Sequence, residues 1–168
     1  WDAVERARAE SALREREHRY RLAVSASGGG SWTWDARTKA VDWDEAFRAR
    51  FGFAADEPPR FETWLEQVHV DDRPRMHAML EEISRSRNTW DHVYRFVRAD
   101  GTMLWIQSLG RADRDPTGQL TRLTGLELDV TKRRRTEEAR QARRDEEHDR
   151  ELRLLLETAT QGIVLVDG

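Results

Sequence analysis

Hydrophobic and polar positions divide the chain into an apolar centre and two polar flanks. Residues 1–26 and 132–157 consist mainly of Arg, Glu, Asp and Ala and contain neither Gly nor Pro, a composition that predicts helices. Six of the seven Trp and all five Phe lie between them, from residue 32 to residue 105. A single apolar core is therefore expected at about residues 31–131.

The first half of the centre predicts a hairpin followed by helices. Two short alternating segments, 31–35 and 40–43, are joined by four residues, a spacing typical of a hairpin. A glycine triplet at 28–30 precedes them and is expected to be a hinge. Apolar residues then recur three or four positions apart, which predicts helices at 44–53, 61–68 and 73–86. Asp71-Asp72 would cap the last of these.

The second half of the centre predicts three long strands, at 89–99, 102–113 and 119–130. Asp100-Gly101 separates the first two and is a strong hairpin signal, and Asp115-Pro-Thr-Gly118 predicts a second turn. Two strands, three helices and three strands in this order predict an α+β domain. The order does not fit a doubly wound parallel sheet.

Composition excludes several classes of function. A formal net charge of −3 argues against general affinity for nucleic acid or for an anionic membrane surface. No apolar run is long enough to span a bilayer, so no direct membrane insertion is expected of this segment. The chain has no cysteine, which excludes disulfides, thiolate metal sites and cysteine nucleophiles. A cytoplasmic location is expected, although a longer parent protein could be membrane-anchored.

Several segments, in order and spacing, resemble parts of a PAS domain. The subfamily has Asp-Gly-x-x-x-Trp on a hairpin, present here at 100–105, and Gly-x-x-x-Asp-[Ile/Val]-Thr at the end of the last strand, present here at 125–131. Earlier pieces agree, namely Trp32-Thr-Trp-Asp35, Phe51-Gly-Phe53 and residues 64–73. The resemblance implies a five-stranded antiparallel sheet with helices on one face, enclosing a pocket and flanked by long coiled-coil helices.

The resemblance also suggests how the chain is divided. Residues 152–168 are similar to the first helix and first strand of another PAS domain, with the strand at Ile-Val-Leu-Val. The expected parts are an N-terminal signalling or dimerisation helix and hinge at 1–30, a PAS domain at 31–131, a C-terminal signalling helix at 132–158 and the start of a second PAS domain at 159–168.

A ligand pocket would be lined by apolar and aromatic side chains of the centre. A core this small also needs most of those side chains for packing, so each has a purely structural alternative. The candidates are Trp34, Trp43, Phe47, Phe51, Trp64, Met76, Met79, Tyr94, Phe96, Trp105 and Leu126.

The junction between the last strand and the following helix is the expected route of a signal. Asp129, Val130 and Thr131 form this junction, and Asp129 is expected to pair with a basic residue of the neighbouring strand, Arg111. Distortion of the sheet would then reach the helix through these residues.

No catalytic constellation is found, so no enzymatic activity is expected of this chain. P-loop, zinc-ligand and Ser–His–Asp patterns are absent, no metal site is expected and no cofactor is predicted. Haem-binding PAS domains take an axial ligand from the long helix, which leaves His77 as a candidate for haem. Flavin binding stays open without positive support.

The leading hypothesis is a sensory and relay module of a bacterial-type signalling protein. By resemblance, its effector would be a histidine kinase or a cyclic-di-nucleotide enzyme located elsewhere in the parent chain. The flanking helices would pair in a homodimer. The alternative is a non-sensory PAS module whose packed core serves dimerisation or protein interaction.

Overall fold

The computed structural model describes residues 2–164 and divides the chain after Val130 into two compact units. The first unit contains four α-helices, a short 3-10 helix at Val70–Asp72 and all five strands. Its elements are α1 (Asp2–Ala26), β1 (Gly29–Asp35), β2 (Val41–Trp43), α2 (Glu45–Phe51), α3 (Phe61–Gln67), α4 (Arg73–Arg85), β3 (Thr89–Val97), β4 (Met103–Arg114) and β5 (Leu120–Asp129).

The strands form one antiparallel sheet in the order β2-β1-β5-β4-β3. The predicted α+β class and five-stranded sheet are confirmed. β3 and β4 are joined at Asp100-Gly101, where Gly101 adopts φ +83°, a value that favours glycine. The first and last strands of the sequence pattern, β1 and β5, lie side by side in the middle of the sheet.

Asp44 connects the first helix after the hairpin to the sheet. One carboxylate oxygen accepts the Phe47 N–H at 2.7 Å and caps α2. The other accepts the Ser31 N–H at 3.0 Å and the Ser31 hydroxyl at 2.7 Å. Gly52 then ends α2 in the left-handed region, at φ +79°. One side chain thereby fixes α2 on β1, and with it the aromatic residues of α2.

Two local predictions are wrong. The glycine triplet is not a hinge throughout, because Gly29 and Gly30 belong to β1 and pair with β5. Asp72 does not cap α4 with its side chain. Its carboxylate accepts the Arg95 backbone N–H at 2.8 Å and forms an ion pair with the Arg95 guanidinium at 2.9 Å. The Asp72 carboxylate bonds Arg95 of β3 and not the start of α4, because Arg95 offers both a backbone N–H donor and a charged guanidinium donor.

The core lies between the helices and one face of the sheet. Inward positions alternate along β3 and β4, so that buried residues such as Tyr94, Phe96 and Ile106 face Phe47 and Met76 of the helices. Outward positions form a second, half-buried surface. There the Arg95 guanidinium lies 5.7 Å from the centre of the Trp105 ring.

The described part of the second unit, residues 131–164, is the helix α5 (Thr131–Val164), which at 34 residues is about 50 Å long. The helix includes Ile163 and Val164, where the first residues of a new strand were expected. A strand there would need a partner to pair its backbone N–H groups, whereas a helix satisfies them within itself. The rest of that predicted strand falls on residues 165–168, outside the described residues. No helix between residues 2 and 164 has the length and apolar character needed to cross a membrane.

Candidate functional site

Two glycines in the centre of the sheet make space for two tryptophans. Gly110 on β4 and Gly125 on β5 are paired with each other, and they are flanked by Trp90 on β3 and Trp32 on β1. A Cβ atom on either glycine would overlap an indole ring. The two indoles therefore lie over the glycines, with ring centroids 6.0 Å apart in a stacked arrangement.

Glu127 is the acceptor at the centre of a buried hydrogen-bond network. Its Oε1 accepts the Trp32 indole N–H at 2.8 Å and the Ser108 hydroxyl at 2.8 Å. Its Oε2 accepts the Tyr94 hydroxyl at 3.1 Å. Each hydroxyl also accepts an indole N–H, that of Trp90 on Ser108 at 3.0 Å and that of Trp64 on Tyr94 at 2.9 Å. Three indoles thus converge on one carboxyl group.

Burial controls the protonation of this network. It raises the pKa of Glu127 to about 7, even though the hydrogen bonds from Trp32, Ser108 and Tyr94 favour the ionised form. Burial, together with the nearby Glu127 charge, raises the pKa of Tyr94 well above its ordinary value, so Tyr94 stays a donor. Glu127 is consequently an acid that can change charge near neutral pH.

A cavity of about 40 Å³ lies beside this network, between the sheet and the helices. Its wall is almost entirely apolar, apart from Glu127, Ser108 and His92. Its lining residues are Trp32, Trp34, Val41, Trp43, Phe47, Phe61, Trp64, Met76, Met79, Leu80, Ile83, Trp90, His92, Ser108, Leu123 and Glu127.

A surface groove of about 670 Å³ shares part of the cavity wall, including Trp32, Trp34 and Leu123. The groove is also lined by Arg60 at the start of α3 and by Lys39 from the turn between β1 and β2. The groove therefore offers a larger space next to a small polar-ended cavity.

The structure brings six of the eleven predicted pocket residues to this cavity. Phe51, Tyr94 and Phe96 instead belong to the packed core, where each is 1% exposed or less. The six residues that line the cavity are Trp34, Trp43, Phe47, Trp64, Met76 and Met79.

Three predicted residues face away from the cavity. Trp105 and Leu126 occupy the alternate positions of β4 and β5, next to inward Leu104, Ile106 and Glu127, so their side chains lie on the other face of the sheet. His77 is exposed on α4, and it lines neither the cavity nor the groove.

The predicted pairing of Asp129 with Arg111 is wrong. Asp129 forms an ion pair with Arg50 of α2 at 3.3 Å, and Arg111 forms one with Asp113 at 3.0 Å. Register explains the difference, because Arg111 lies opposite Thr124 and is five residues from the position opposite Asp129. The last residue of β5 is thus tied to α2. At the next position, the Val130 N–H donates to the Trp105 carbonyl at 2.9 Å.

The polar part of the site was not predicted from the sequence. Glu127, Ser108 and His92 are not adjacent in sequence and come together only through strand register, His92 opposite Ser108 and Ser108 opposite Glu127. The available signal was Gly110 and Gly125 inside predicted strands, since a strand glycine often marks close approach of another group.

Neither haem nor flavin fits the cavity as it stands. A volume of about 40 Å³ holds little more than one water-sized group, far less than either ring system. The proposed haem ligand His77 lies outside it. Between residues 2 and 164, no three His, Asp or Glu side chains come together in a way that could hold a metal ion.

Residues 40–126 match the family described as PAS fold. The chain belongs to this family. A solved structure of a sensory box histidine kinase/response regulator from Burkholderia thailandensis is 35% identical to it, with a TM-score of 0.64, covering 76% of this chain and 96% of that one. The predicted PAS resemblance is confirmed.

Sensor proteins stand among the relatives. The sensor protein FixL of Bradyrhizobium diazoefficiens is 28% identical over 134 residues, covering 80% of this chain and 26% of FixL. A blue-light-activated histidine kinase of Brucella anthropi is 25% identical over 103 residues, covering 61% of this chain and 20% of the kinase. The chain thus spans about a quarter or less of these relatives. It is a sensory PAS domain of the signal-transduction class.

Proposed function

We propose that this domain senses a small molecule in the cavity beside Glu127 and relays the change through β5 to α5. The observation that supports this most directly is the position of Glu127. It is the polar centre of the cavity, and it lies on β5 two residues before that strand ends at Asp129. Only Val130 separates β5 from the first residue of α5.

The residues of the junction have anchors that a shift of β5 would disturb. Asp129 contacts Arg50, and Val130 donates to the Trp105 carbonyl, so movement of Glu127 would strain both contacts. Asp129, Val130 and Thr131 are therefore the proposed relay residues. The presence of a cavity with polar groups favours this role over that of a fully packed interaction module.

The wider arrangement follows from the same proposal. α1 and α5 would be signalling helices that pair with those of a second copy, and the chain itself would carry no catalysis. An effector in the same parent protein, a histidine kinase or a cyclic-di-nucleotide enzyme, would read the state of α5. The histidine kinases among the relatives support the first alternative. A second PAS domain beginning at residue 159 is supported by sequence resemblance alone.

Hydrogen exchange measured by mass spectrometry tests the relay. Glu127→Gln removes the titrating charge with little change in volume, and we expect it to alter exchange in peptides spanning residues 131–140 by at least about twofold. Glu81→Gln, the same chemical change on the exposed face of α4, is the matched control and should leave those peptides unchanged. A Glu127→Gln effect confined to the sheet would show that the relay is wrong.

A further inference from the structure

One polar side chain of the cavity has no hydrogen-bond partner. Both ring nitrogens of His92 are buried and unpaired. Burial, followed by the positive charges of Arg75 and Arg87, lowers the pKa of His92 to about 4, so its imidazole is neutral at pH 7. A neutral imidazole has one N–H donor and one nitrogen that accepts. A ligand group that bonds to this ring would relieve the cost of leaving it unpaired.

Register places the unpaired imidazole in one row with Glu127. His92 on β3 is opposite Ser108 on β4, and Ser108 is opposite Glu127 on β5. The Ser108 hydroxyl already donates to Glu127, so its proton is not available to a ligand. The cavity therefore offers two acceptors, a carboxylate oxygen and one imidazole nitrogen, beside the single N–H donor of the same imidazole. It fits a hydrogen-bond donor, and the carboxylate favours a positively charged one.

The remaining wall suits a cation as well. Aromatic side chains surround the two acceptors, and ring faces attract cations through their quadrupole. The chain already shows such a contact at the groove, where the Lys39 ammonium lies 5.0 Å from the centre of the Trp34 ring. Trp34 lines both the groove and the cavity. The aromatic wall that contacts Lys39 at the groove therefore extends into the cavity.

Size restricts the cation further. The cavity of about 40 Å³ is comparable to the space of one water molecule, which suits an –NH3+ group and excludes a quaternary ammonium. The adjoining groove of about 670 Å³ is large enough for an apolar or aromatic body. The charged groups at the groove are Lys39, Arg60 and Glu62. Among the residues that line the cavity, Glu127 and His92 are titratable, and the Tyr94 hydroxyl is bonded to Glu127. The charges of Arg75, Arg87 and Asp91 act on His92 from outside the cavity wall.

We infer that the domain binds a primary ammonium with an apolar or aromatic body. The ammonium donates to Glu127 and His92 in the cavity, and the body lies in the groove among Trp32, Trp34 and Phe61. This inference rests on the proposed sensory function, because it names the ligand class of the same cavity.

Three probes with one aromatic body and different charge test the ligand class. They are 2-phenylethylamine, 2-phenylethanol and phenylacetate, titrated into the full chain by calorimetry at about pH 8, where the amine remains protonated and Glu127 is mostly ionised. We expect the amine to bind at least about tenfold more tightly than the alcohol, and phenylacetate to show no binding. Lowering the pH to about 5 should weaken the binding of the amine, because Glu127 becomes protonated. The affinity for the alcohol should not change.

Two variants localise the effect. Glu127→Gln should bring the amine and the alcohol to within about twofold of each other. Glu81→Gln, the same change on the exposed face of α4 and outside both the cavity and the groove, should keep the preference for the amine. Equal binding of amine and alcohol by the native chain, or no binding of the amine at millimolar concentration, would overturn the inference. The pH series uses the native chain, so it decides the question even if Glu127→Gln does not fold.

The outcomes separate this inference from the proposed relay. If the alcohol binds as well as the amine and also changes exchange in residues 131–140, the sensory role stands and the cation class is wrong. If the amine binds with the expected preference but α5 does not respond, the ligand class stands and the relay is wrong.

Discussion

Glu127 shows how opposing interactions decide the charge of one residue. Three hydrogen bonds favour its carboxylate, yet full burial outweighs them and raises the pKa from an ordinary 4.5 to about 7. The domain therefore holds a carboxyl group whose pKa is raised to about 7, so that it titrates near neutral pH. Such a group responds both to pH and to any charged molecule placed beside it.

The raised pKa of Glu127 predicts a pH dependence of stability. Between about pH 4.5 and 7 the folded state binds more protons than the unfolded state, so the free energy of unfolding decreases as pH rises. The full effect is about 3 kcal/mol, at 1.36 kcal/mol per pKa unit. Glu127→Gln removes it, so the variant should gain about 3 kcal/mol relative to the native chain from pH 4.5 to 7.5 in urea denaturation.

His92 contributes a pH dependence of stability that is opposite in sign to that of Glu127. Its pKa is lowered to about 4, so between about pH 4 and 6.5 it contributes stability that increases with pH. In the native chain, the opposite contributions of Glu127 and His92 to the free energy of unfolding offset each other over much of this range. The difference in free energy of unfolding between the native chain and Glu127→Gln therefore gives the contribution of Glu127 alone. Glu62→Gln, measured in parallel, should follow the native profile. A constant difference between native chain and Glu127→Gln would contradict the buried, titrating carboxyl.

At the scale of the secondary-structure elements, the site is held by one row of residues across four strands, Trp90, Gly110, Gly125 and Trp32. Gly110 and Gly125 let the Trp90 and Trp32 rings lie directly on the backbone, and this position points both indole N–H groups into the Glu127 network. The glycines thus fix the geometry of the site through a close approach.

Gly110→Ala tests this packing. The added Cβ overlaps the Trp90 ring, so we expect the free energy of unfolding to fall by about 1–3 kcal/mol. In a Trp90→Ala background the overlap is gone, and the same glycine substitution should cost less than about 1 kcal/mol. Thermal and urea unfolding of the four chains give both values. If Gly110→Ala lowered the free energy of unfolding equally in both backgrounds, the position of the Trp90 ring would not depend on the missing Cβ at Gly110.

Elements were predictable from the sequence, whereas faces and pairings were not. Hairpin signals such as Asp100-Gly101 and the 3.6-residue periodicity of α4 are local, and the strands and helices predicted before residue 131 lie within a few residues of their observed bounds. The helix predicted at 132–158 instead continues to Val164. The predicted sheet face was wrong for Trp105 and Leu126, because both faces of β4 and β5 carry apolar residues. Glu127 could not be recognised because its donors come from β1, β3 and β4, and only register brings them together.

At the scale of the whole molecule, α5 carries large apolar residues that are exposed. Leu152, Leu154, Leu155 and Leu156 are 44–67% exposed. Leu152, Leu156 and Ala159 follow each other at intervals of four and three, the spacing of a coiled-coil seam. An isolated helix gains little stability from propensity alone, so a seam shared with a second copy is the simplest source of stabilisation.

The proposed homodimer can be tested with two leucines of the same helix. Leu156→Glu places a charge in the seam of both copies, and we expect it to weaken self-association at least about tenfold in sedimentation equilibrium. Leu154→Glu is the matched control, since at 100° per residue Leu154 lies about 200° around the helix from both Leu152 and Leu156. It should leave association within about twofold. Both variants carry the same added charge, so a general electrostatic effect would weaken association equally, and that result would exclude this seam as the dimer contact.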